Sequence, residues 1–362
     1  MLSSRTLRRW RAALLLVVLT LTGFLILQNP RQRPYSPDYG LVGPIDPSSR
    51  FAIVTFLGSD TARKEEDKYF IACRMLTYQL LHANTTRIRN SARVDWVVAV
   101  TPDVARWKRE QLERDGAKVV ELEEVPLRWW IRTSVSRWKD QFTKLRLLLW
   151  TEYSRLLFVD ADTLLLGPLD NIFLTRGSIV PSKTDFRYRW GDEADLPAEY
   201  VFLASQDHMF TGKRQHAVPP DEDSTTGSLS AGFWLAAPSK ELYNYLMSVM
   251  AHYRRFDPST MEQSLFNYAF RRCDASRRER EASAVCPPGR RAGPMPWKAL
   301  DWWWSSTWPS MGDMKLGAVS LHEKLWKTGP KGLKRRWREV RVEMEEALGI
   351  AESRMDDRDG DL

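Results

Sequence analysis

Cysteines, histidines and glycine-rich phosphate motifs are scarce in this chain. Its 362 residues include three cysteines and five histidines, and no spacing between them corresponds to a zinc site. The sequence also lacks a Gly-x-Gly-x-x-Gly turn and a Walker loop, which hold phosphates through backbone N–H groups. Any diphosphate ligand would therefore have to be held by a metal ion and basic side chains. No internal repeat is evident.

Positive charge is in excess but is not concentrated on one element. Lys and Arg total 54 and Asp and Glu total 46, which leaves a net charge of +8. Apart from a few Arg pairs and the run at 334–338, the basic residues are scattered, so we expect no nucleic-acid partner. The composition is globular, and the length allows one large folded domain with a sizeable core.

The first 30 residues have the pattern of a targeting segment. Four arginines within residues 1–11 precede an uncharged run at 12–27, which is near the lower length limit for spanning a bilayer. Because no small-x-small cleavage site follows, we favour a transmembrane signal anchor over a cleavable signal peptide. The arginines predict a cytosolic tail at 1–11 and a stem at 28–49 that leads into the lumen. We expect a single-pass type II protein of the Golgi or ER membrane.

The cysteines and one sequon fit a lumenal location only weakly. Cys273 and Cys286 flank a charged, proline-containing loop and could form one disulfide, whereas Cys73 lies in an apolar helical pattern and is expected to be a buried free thiol. Asn84 begins the only N-glycosylation sequon that we find, although its place near a helix end could prevent its use.

Beyond the stem, strand and helix patterns alternate. The apolar runs predict strands at 51–57, 94–100, 118–122, 228–236 and 317–320, besides the one before Asp160. Helical periodicity predicts helices at 69–82, 102–115, 139–150, 239–253, 260–270 and 332–348. This order predicts an α/β fold with a single, mainly parallel sheet flanked by helices, in which ligands bind at the carboxyl ends of the strands.

The most informative stretch is RLLFVDADTLLL at 155–166. An apolar strand delivers two carboxylates, Asp160 and Asp162, to its C-terminal edge. Two acids at such an edge can share one hard divalent cation such as Mg²⁺ or Mn²⁺. A solvated turn is the alternative, because Asp is common in turns.

Haloacid dehalogenase-type phosphatases also place Asp-x-Asp after an apolar strand. Their pattern has a small residue fourth and Thr or Val fifth, whereas this chain has Thr163 fourth and Leu164 fifth. The local pattern therefore argues against Asp160 as a nucleophile, without excluding it.

Several separate segments, taken in order, resemble the glycogenin-like, family 8 glycosyltransferases. They are FAIVTFL at 51–57, FTKL at 142–145, FVDADTL at 158–164, DNIF at 170–173, SAG at 230–232, EQSLFN at 262–267 and HEKLW at 322–326. The resemblance implies a GT-A (nucleotide-diphospho-sugar transferase) fold over 50–330, with a C-terminal helix and acidic tail at 331–362. It also implies a UDP-sugar donor, a glycan or glycoprotein acceptor, Mn²⁺, and retention of the anomeric configuration.

Asp160, Asp162 and His322 match the metal ligands of that family, and Ala161 lies between the two acids where relatives contact the nucleotide. Independently, His322 follows the apolar run at 317–321, which places it at a strand end like the acids. A lone His is more often structural. Two carboxylates and one imidazole suit Mn²⁺ better than Mg²⁺, which remains the alternative ion.

Two lysines match residues that grip the donor in the family. Lys144 matches a lysine that contacts the donor, and Lys324 matches one that holds the diphosphate, although each taken singly would be an ordinary exposed lysine. Thr55 and Leu57 match positions that contact uridine, and Tyr69 is a looser candidate to stack on the base, with helix packing as the alternative.

Two departures from the family pattern leave the donor sugar open. Glu262-Gln263 stands where relatives usually have Asp-Gln, and Ser230 stands where they usually have Asn; both positions line the donor sugar in relatives. Gln263 would keep its place beside the anomeric carbon, while the longer Glu262 and the shorter Ser230 change the hydroxyl-binding pattern. No carboxylate is secure as a nucleophile, so same-face attack by the acceptor is the more economical route to retention.

Two further regions invite functional hypotheses. The tryptophans at 297, 302–304 and 308 are a candidate acceptor platform, with burial in the core as the alternative. The polar stretch at 185–226 predicts a loop over the donor site. Two rival functions remain open, a membrane-bound phosphohydrolase that uses Asp160 and a non-catalytic glycan-binding protein.

Overall fold

The computed structural model describes residues 46, 48–58, 67–133, 135, 138–207, 228–272 and 293–349. The predicted cytosolic tail, the anchor at 12–27, most of the stem, the Cys273–Cys286 pair and the acidic tail lie outside these residues. Within the described ranges, no helix is both long enough and apolar enough to cross a membrane. Cys73 is buried as a free thiol, as predicted, and burial raises the pKa of its thiol.

A seven-stranded sheet forms the centre of the protein. Its strands are β1 (Phe51–Leu57), β2 (Val94–Val100), β3 (Lys118–Glu121), β4 (Arg155–Val159), β8 (Phe202–Gln206), β9 (Leu229–Ala236) and β10 (Lys298–Ala299). Their order across the sheet is β10-β8-β9-β4-β1-β2-β3. Four neighbouring pairs are parallel, whereas β9 runs antiparallel to both β4 and β8. The predicted α/β fold with a mainly parallel central sheet is therefore confirmed, whereas the prediction of a single sheet is wrong.

Two smaller sheets complete the strand inventory of the described residues. The strands β5 (Thr163–Leu165), β11 (Ser306–Thr307) and β12 (Ser320–His322) form a three-stranded sheet, and β6 (Ser182–Lys183) pairs with β7 (Glu199–Tyr200). Since β4 and β5 are separated only by residues 160–162, the Asp-x-Asp turn links the large sheet to the three-stranded one.

Seven α-helices accompany the sheets in the described part of the chain. They are α1 (Lys68–Leu81), α2 (Arg106–Arg114), α3 (Arg176–Ile179), α4 (Lys240–Ala251), α5 (Met261–Ala269), α6 (Met311–Lys315) and α7 (Lys331–Ala347). The predicted helix at 139–150 is a 3-10 helix, Gln141–Leu149, and α2 starts four residues later than predicted. Further 3-10 turns occupy Asp170–Leu174, Phe186–Tyr188 and Pro258–Thr260.

The large sheet is buried on both faces. In β1, Phe51, Ile53 and Leu57 join one apolar core, while the alternate residues Ala52 and Val54 join the core on the other face. Sheets covered on both faces explain why β1, β2 and β4 are almost continuously apolar in sequence. In such a sheet, ligands usually bind at the carboxyl ends of the strands.

Three sequence-based expectations need correction. The stretch at 185–226 is not wholly a loop, because it contains β7 and β8, and β8 is a buried strand of the large sheet. The predicted strand at 317–320 lies at Ser320–His322 instead. Of the tryptophans proposed as an acceptor platform, Trp297 and Trp302–304 are buried, as the alternative interpretation expected, and only Trp308 is half-buried.

Candidate active site

The carboxyl end of β4 brings three potential metal ligands together. The Asp160 backbone N–H donates to the Gly232 carbonyl on β9, which fixes the start of the turn, and Asp162 follows one residue before β5. His322 lies opposite Thr163 in the antiparallel pairing of β12 with β5. One potential ligand atom from each of Asp160, Asp162 and His322 lies within 4.8 Å of the other two.

The geometry of this cluster fits a divalent cation. His322 Nε2 lies 3.1 Å from Asp162 Oδ1 and 3.6 Å from Asp160 Oδ2, so the imidazole faces both acids with the nitrogen that would coordinate. A Cβ at Gly232 would lie 2.1 Å from His322 Cε1 and 2.8 Å from Asp160 Oδ2. Only glycine therefore leaves room for the ring in this position. The donor set of oxygens and one imidazole nitrogen suits Mn²⁺.

The electrostatic environment keeps Asp162 charged. Burial alone would raise the pKa of Asp162, but the neighbouring His322 and Lys324 outweigh burial and hold that pKa well below its usual range. For His322 burial acts in the other direction and would lower the pKa, but Asp162 and Asp160 outweigh burial and raise the pKa. A coordinating imidazole must be neutral, so a bound cation would displace the proton from His322.

Lys144 is a fully buried cation between two carboxylates. Its Nζ donates to Asp160 Oδ1 and to Glu262 Oε1, both at 3.0 Å. Burial opposes the charge on Lys144, but Asp160 and Glu262 outweigh it and raise the pKa of the amine, so the ammonium form is held. Burial, reinforced by Asp160, raises the pKa of Glu262, while Lys144 opposes that change. The 3-10 helix and α5 therefore meet at an ion-paired junction beside the metal cluster.

Lys324 lies on the opposite side of the cluster. Its Nζ is 3.1 Å from Asp162 Oδ2, and its side chain keeps 37% of its surface exposed. The Glu323 backbone N–H donates to the Asp162 carbonyl, which holds the start of this loop against the Asp-x-Asp turn. The Lys324 side chain is therefore half-buried and lies where a ligand of the cluster could contact it.

The amide of Gln263 is fixed from both ends. Its Oε1 accepts from the Ala231 backbone N–H at 3.0 Å, and its Nε2 donates to Asp207 Oδ2 at 3.0 Å. Ser230 is buried, and its Oγ accepts from the Gly232 backbone N–H at 3.3 Å. The link from Gln263 to Asp207, 56 residues apart, was not predictable from sequence, which marked Asp207 only as part of a polar stretch.

The predicted uridine contacts are in a different setting. Thr55 and Leu57 are buried within β1. Tyr69, on the first turn of α1, is half-buried with its ring edge-on to Trp326 at a centroid distance of 5.2 Å. Trp326 in turn packs against Trp337 of α7. The structure brings the acids, His322 and both lysines into one cluster. The nucleotide-binding roles of Thr55, Leu57 and Tyr69 stay predictions.

Comparison with known proteins gives weak but consistent similarities. No family model matches the chain. Two uncharacterized proteins of Schizosaccharomyces pombe are 26% and 25% identical to it; the alignments cover 78% and 73% of this chain and 74% and 71% of those proteins. Galactinol synthase 1 of Ajuga reptans is 27% identical over 48% of this chain and 50% of that protein.

Two solved glycosyltransferase structures are also similar to the chain. The galactosyltransferase LgtC, solved with donor and acceptor sugar analogs, covers 83% of this chain and 98% of its own at 12% identity, with a TM-score of 0.46. The glycosyltransferase GlyE of Streptococcus pneumoniae covers 83% of this chain and 62% of its own at 12% identity, with a TM-score of 0.47.

Proposed function

We propose that this protein is a Mn²⁺-dependent, retaining glycosyltransferase with a GT-A fold that transfers a hexosyl or N-acetylhexosaminyl group from a UDP-sugar to a glycan or glycoprotein. One observation carries the proposal: Asp160, Asp162 and His322 converge within 4.8 Å at the carboxyl end of the central sheet, flanked by Lys144 and Lys324. Because this chain has no glycine-rich phosphate loop, a nucleotide diphosphate would be held by a metal ion and by fixed cations. Acidic oxygens and one imidazole are suitable ligands for that metal ion.

A metal ion held by Asp160, Asp162 and His322 would supply positive charge to the UDP leaving group. Lys324, whose side chain keeps 37% of its surface exposed, binds the diphosphate beside Asp162. Lys144 is preorganised by Asp160 and Glu262, and holds a fixed positive charge next to the donor, where negative charge grows as the glycosidic bond breaks.

Retention would follow from same-face attack by the acceptor hydroxyl. Glu262 Oε1 accepts from Lys144, and an amide such as that of Gln263 is a poor nucleophile, so we assign neither residue a nucleophilic role. In this arrangement Glu262 and Gln263 position the donor sugar, and the leaving phosphate oxygen accepts the acceptor's proton.

The relatives support transfer of a sugar without naming the donor used here. Galactinol synthase 1 is similar over 179 residues, about half of each chain. Glu262 and Ser230, which depart from the family pattern, would contact the sugar hydroxyls and so decide between donors.

The test is a panel of UDP-sugars, with the purified full-length chain in detergent. We expect release of UDP from one or a few donors with Mn²⁺, less with Mg²⁺, and none with EDTA. Hydrolysis of p-nitrophenyl phosphate, together with no preference among the UDP-sugars, would instead favour the phosphohydrolase. Glycan binding with no UDP release from any donor would favour the non-catalytic alternative.

We also propose that the chain is a type II protein of the Golgi or ER membrane, anchored by residues 12–27. Added protease should spare everything beyond the stem in intact microsomes and digest it after detergent. Digestion of the folded domain in intact microsomes would reverse the proposed orientation.

A further inference from the structure

Three exposed aromatic rings surround one surface turn, residues 252–255. Trp129 is 75% exposed, and Trp190 and Tyr253 are each 55% exposed. The Trp129 and Tyr253 rings stack at a centroid distance of 5.1 Å with only 8° between their planes. We define Trp129, Trp190, Tyr253 and Arg254 as the aromatic platform. The exposed large aliphatic residues of the described chain, Val180 and Val342, belong to other elements.

The platform rests on a rigid foundation. Trp130 lies edge-on to Tyr253 at 6.2 Å and to the buried Phe256 at 5.2 Å. The Arg255 guanidinium, 5.3 Å from the centre of the Trp190 ring, forms an ion pair with Asp192. These contacts tie the turn at 252–255 to the segment that carries Trp190, so the exposed rings are held in place before any ligand arrives.

Arg254 has an unusual backbone conformation. Its φ is +52°, in the left-handed region that residues with a side chain seldom adopt. Such strain persists where the surroundings enforce it and is frequent at ligand-binding positions. The Arg254 guanidinium lies 5.1 Å from the centre of the Tyr253 ring and forms no ion pair within the described ranges. Its hydrogen-bond donors are therefore open to a ligand.

We propose that the aromatic platform binds the acceptor glycan at sugar residues distant from the reacting one. The apolar C–H face of a sugar ring stacks on a flat aromatic face, and a guanidinium donates hydrogen bonds to hydroxyl or carboxylate oxygens. The same residue types also occur at protein–protein interfaces, so contact between copies of the chain is one outcome of the test below. The assignment of the ligand as an acceptor rests on the proposed function.

The connection to the candidate active site runs through aromatic contacts. Phe256 packs against Phe142 at 6.4 Å, and Phe142 precedes Lys144 by two residues on the 3-10 helix. The turn at 252–255 also leads, through Pro258–Thr260, into α5 and Glu262. Trp129, Tyr253 and Arg254 thus lie on the two segments that lead into Lys144 and Glu262, whereas Trp190 lies on a third. We expect a glycan bound by the first two segments to be aligned with the candidate active site.

The test is affinity electrophoresis of the full-length chain in native detergent gels that contain mannan, galactomannan or polygalacturonate. We expect at least one polymer to retard the wild-type chain. For that polymer, the dissociation constants of Trp129→Ala and Tyr253→Ala should be about tenfold larger than that of the wild type. Trp107→Ala is the matched control, because Trp107 is 57% exposed but lies on α2, where its ring contacts Phe70 and Lys108. The gels are run with EDTA and without a nucleotide sugar, so the result does not depend on catalysis.

Each outcome decides the proposal. A wild-type chain that none of the three polymers retards, or a Trp129→Ala variant retarded like wild type, would overturn it. Equal glycan binding together with loss of self-association in Trp129→Ala, measured by sedimentation, would assign the platform to contact between copies and also overturn it. Retardation without UDP release from any donor would keep the glycan site and remove the proposed catalytic function.

Discussion

The imidazole of His322 occupies the space in which a side chain at position 232 would lie. A Cβ added to Gly232 would come within 2.1 Å of His322 Cε1, far inside van der Waals contact. Since β9 and β12 belong to different sheets, this close approach lets the imidazole of one sheet reach the acids that follow β4 of the other.

Gly232→Ala should therefore displace His322 and abolish Mn²⁺-dependent turnover. The backbone of β9 remains compatible with alanine, because Gly232 is absent from the glycines with positive φ. We expect at least a hundredfold loss of activity with an unchanged far-ultraviolet circular dichroism spectrum. Gly191→Ala is the matched control, because an added Cβ there meets no atom within 4 Å. Full activity in Gly232→Ala would exclude His322 as a ligand in this position.

Asp162→Asn should remove metal-dependent turnover and metal-dependent stabilisation together. Asp160 and Asp162 follow the large sheet and His322 belongs to the small one, so a cation bound by all three would link the sheets. A metal ion that binds only the folded state, at a free concentration of 100 times its dissociation constant, adds about 2.7 kcal/mol to the free energy of unfolding. We expect Mn²⁺ to raise the Tm of the wild type and EDTA to lower it, with neither effect in Asp162→Asn.

Asp170→Asn is the control for that experiment, because Asp170 is a buried carboxylate that binds the Arg89 backbone N–H away from the cluster. It should keep the response of the Tm to Mn²⁺ even where its overall stability falls. A normal Mn²⁺ response and turnover in Asp162→Asn would refute the metal assignment.

Lys144→Ala should lower kcat much more than it raises the KM for the donor. A contact that strengthens as the donor bond breaks acts on the transition state, whereas a ground-state diphosphate clamp would chiefly raise KM. We expect a loss of about 2 to 4 kcal/mol in transition-state stabilisation, typical of a preorganised charge contact. Lys144→Met, which retains most of the volume, should behave alike, and the exposed Lys118→Ala should be neutral. A kcat for Lys144→Ala within threefold of wild type would end the catalytic assignment.

The side chain of Gln79 on α1 forms hydrogen bonds with the backbone of the edge strand β5. Its Nε2 donates to the Leu165 carbonyl at 2.8 Å, and its Oε1 accepts from the Leu165 N–H at 3.1 Å. Gln79→Met should leave both buried backbone groups unpaired, at a cost of about 1–3 kcal/mol each. Urea denaturation measures the change, with the less buried Gln111→Met as control. A midpoint equal to that of wild type would show that the two bonds add no net stability.

The elements that sequence predicted well are those whose burial is strongly patterned. The strands β1, β2 and β9 are largely apolar runs, and the Asp-x-Asp turn follows such a run, so the position of the acids at a strand end could be predicted. The two-residue strands β6, β7, β10 and β11 are too short to show a period of two. α2 begins late because the Val104 N–H donates to the Thr101 carbonyl, forming a turn where the pattern predicted helix.

The polar pairings of the site were harder to predict than its members. Lys144 and Glu262 are 118 residues apart, and Gln79 and Leu165 are 86 apart. No local pattern reports which buried polar groups satisfy each other across such separations. The family resemblance supplied the individual residues, whereas the ion pair that orients Lys144 and the amide that completes β5 depend on tertiary packing.

The ion-paired junction at Lys144 has a consequence for the order of ligand binding. Three carboxylates, those of Asp160, Asp162 and Glu262, face two ammonium groups and an imidazole with a raised pKa. Each of these carboxylates already has a cationic or imidazole partner within the protein, and a divalent cation arriving by itself would add positive charge to a buried place. A diphosphate offsets that charge, so cation and nucleotide should bind with positive cooperativity, and each should tighten the other by the same factor.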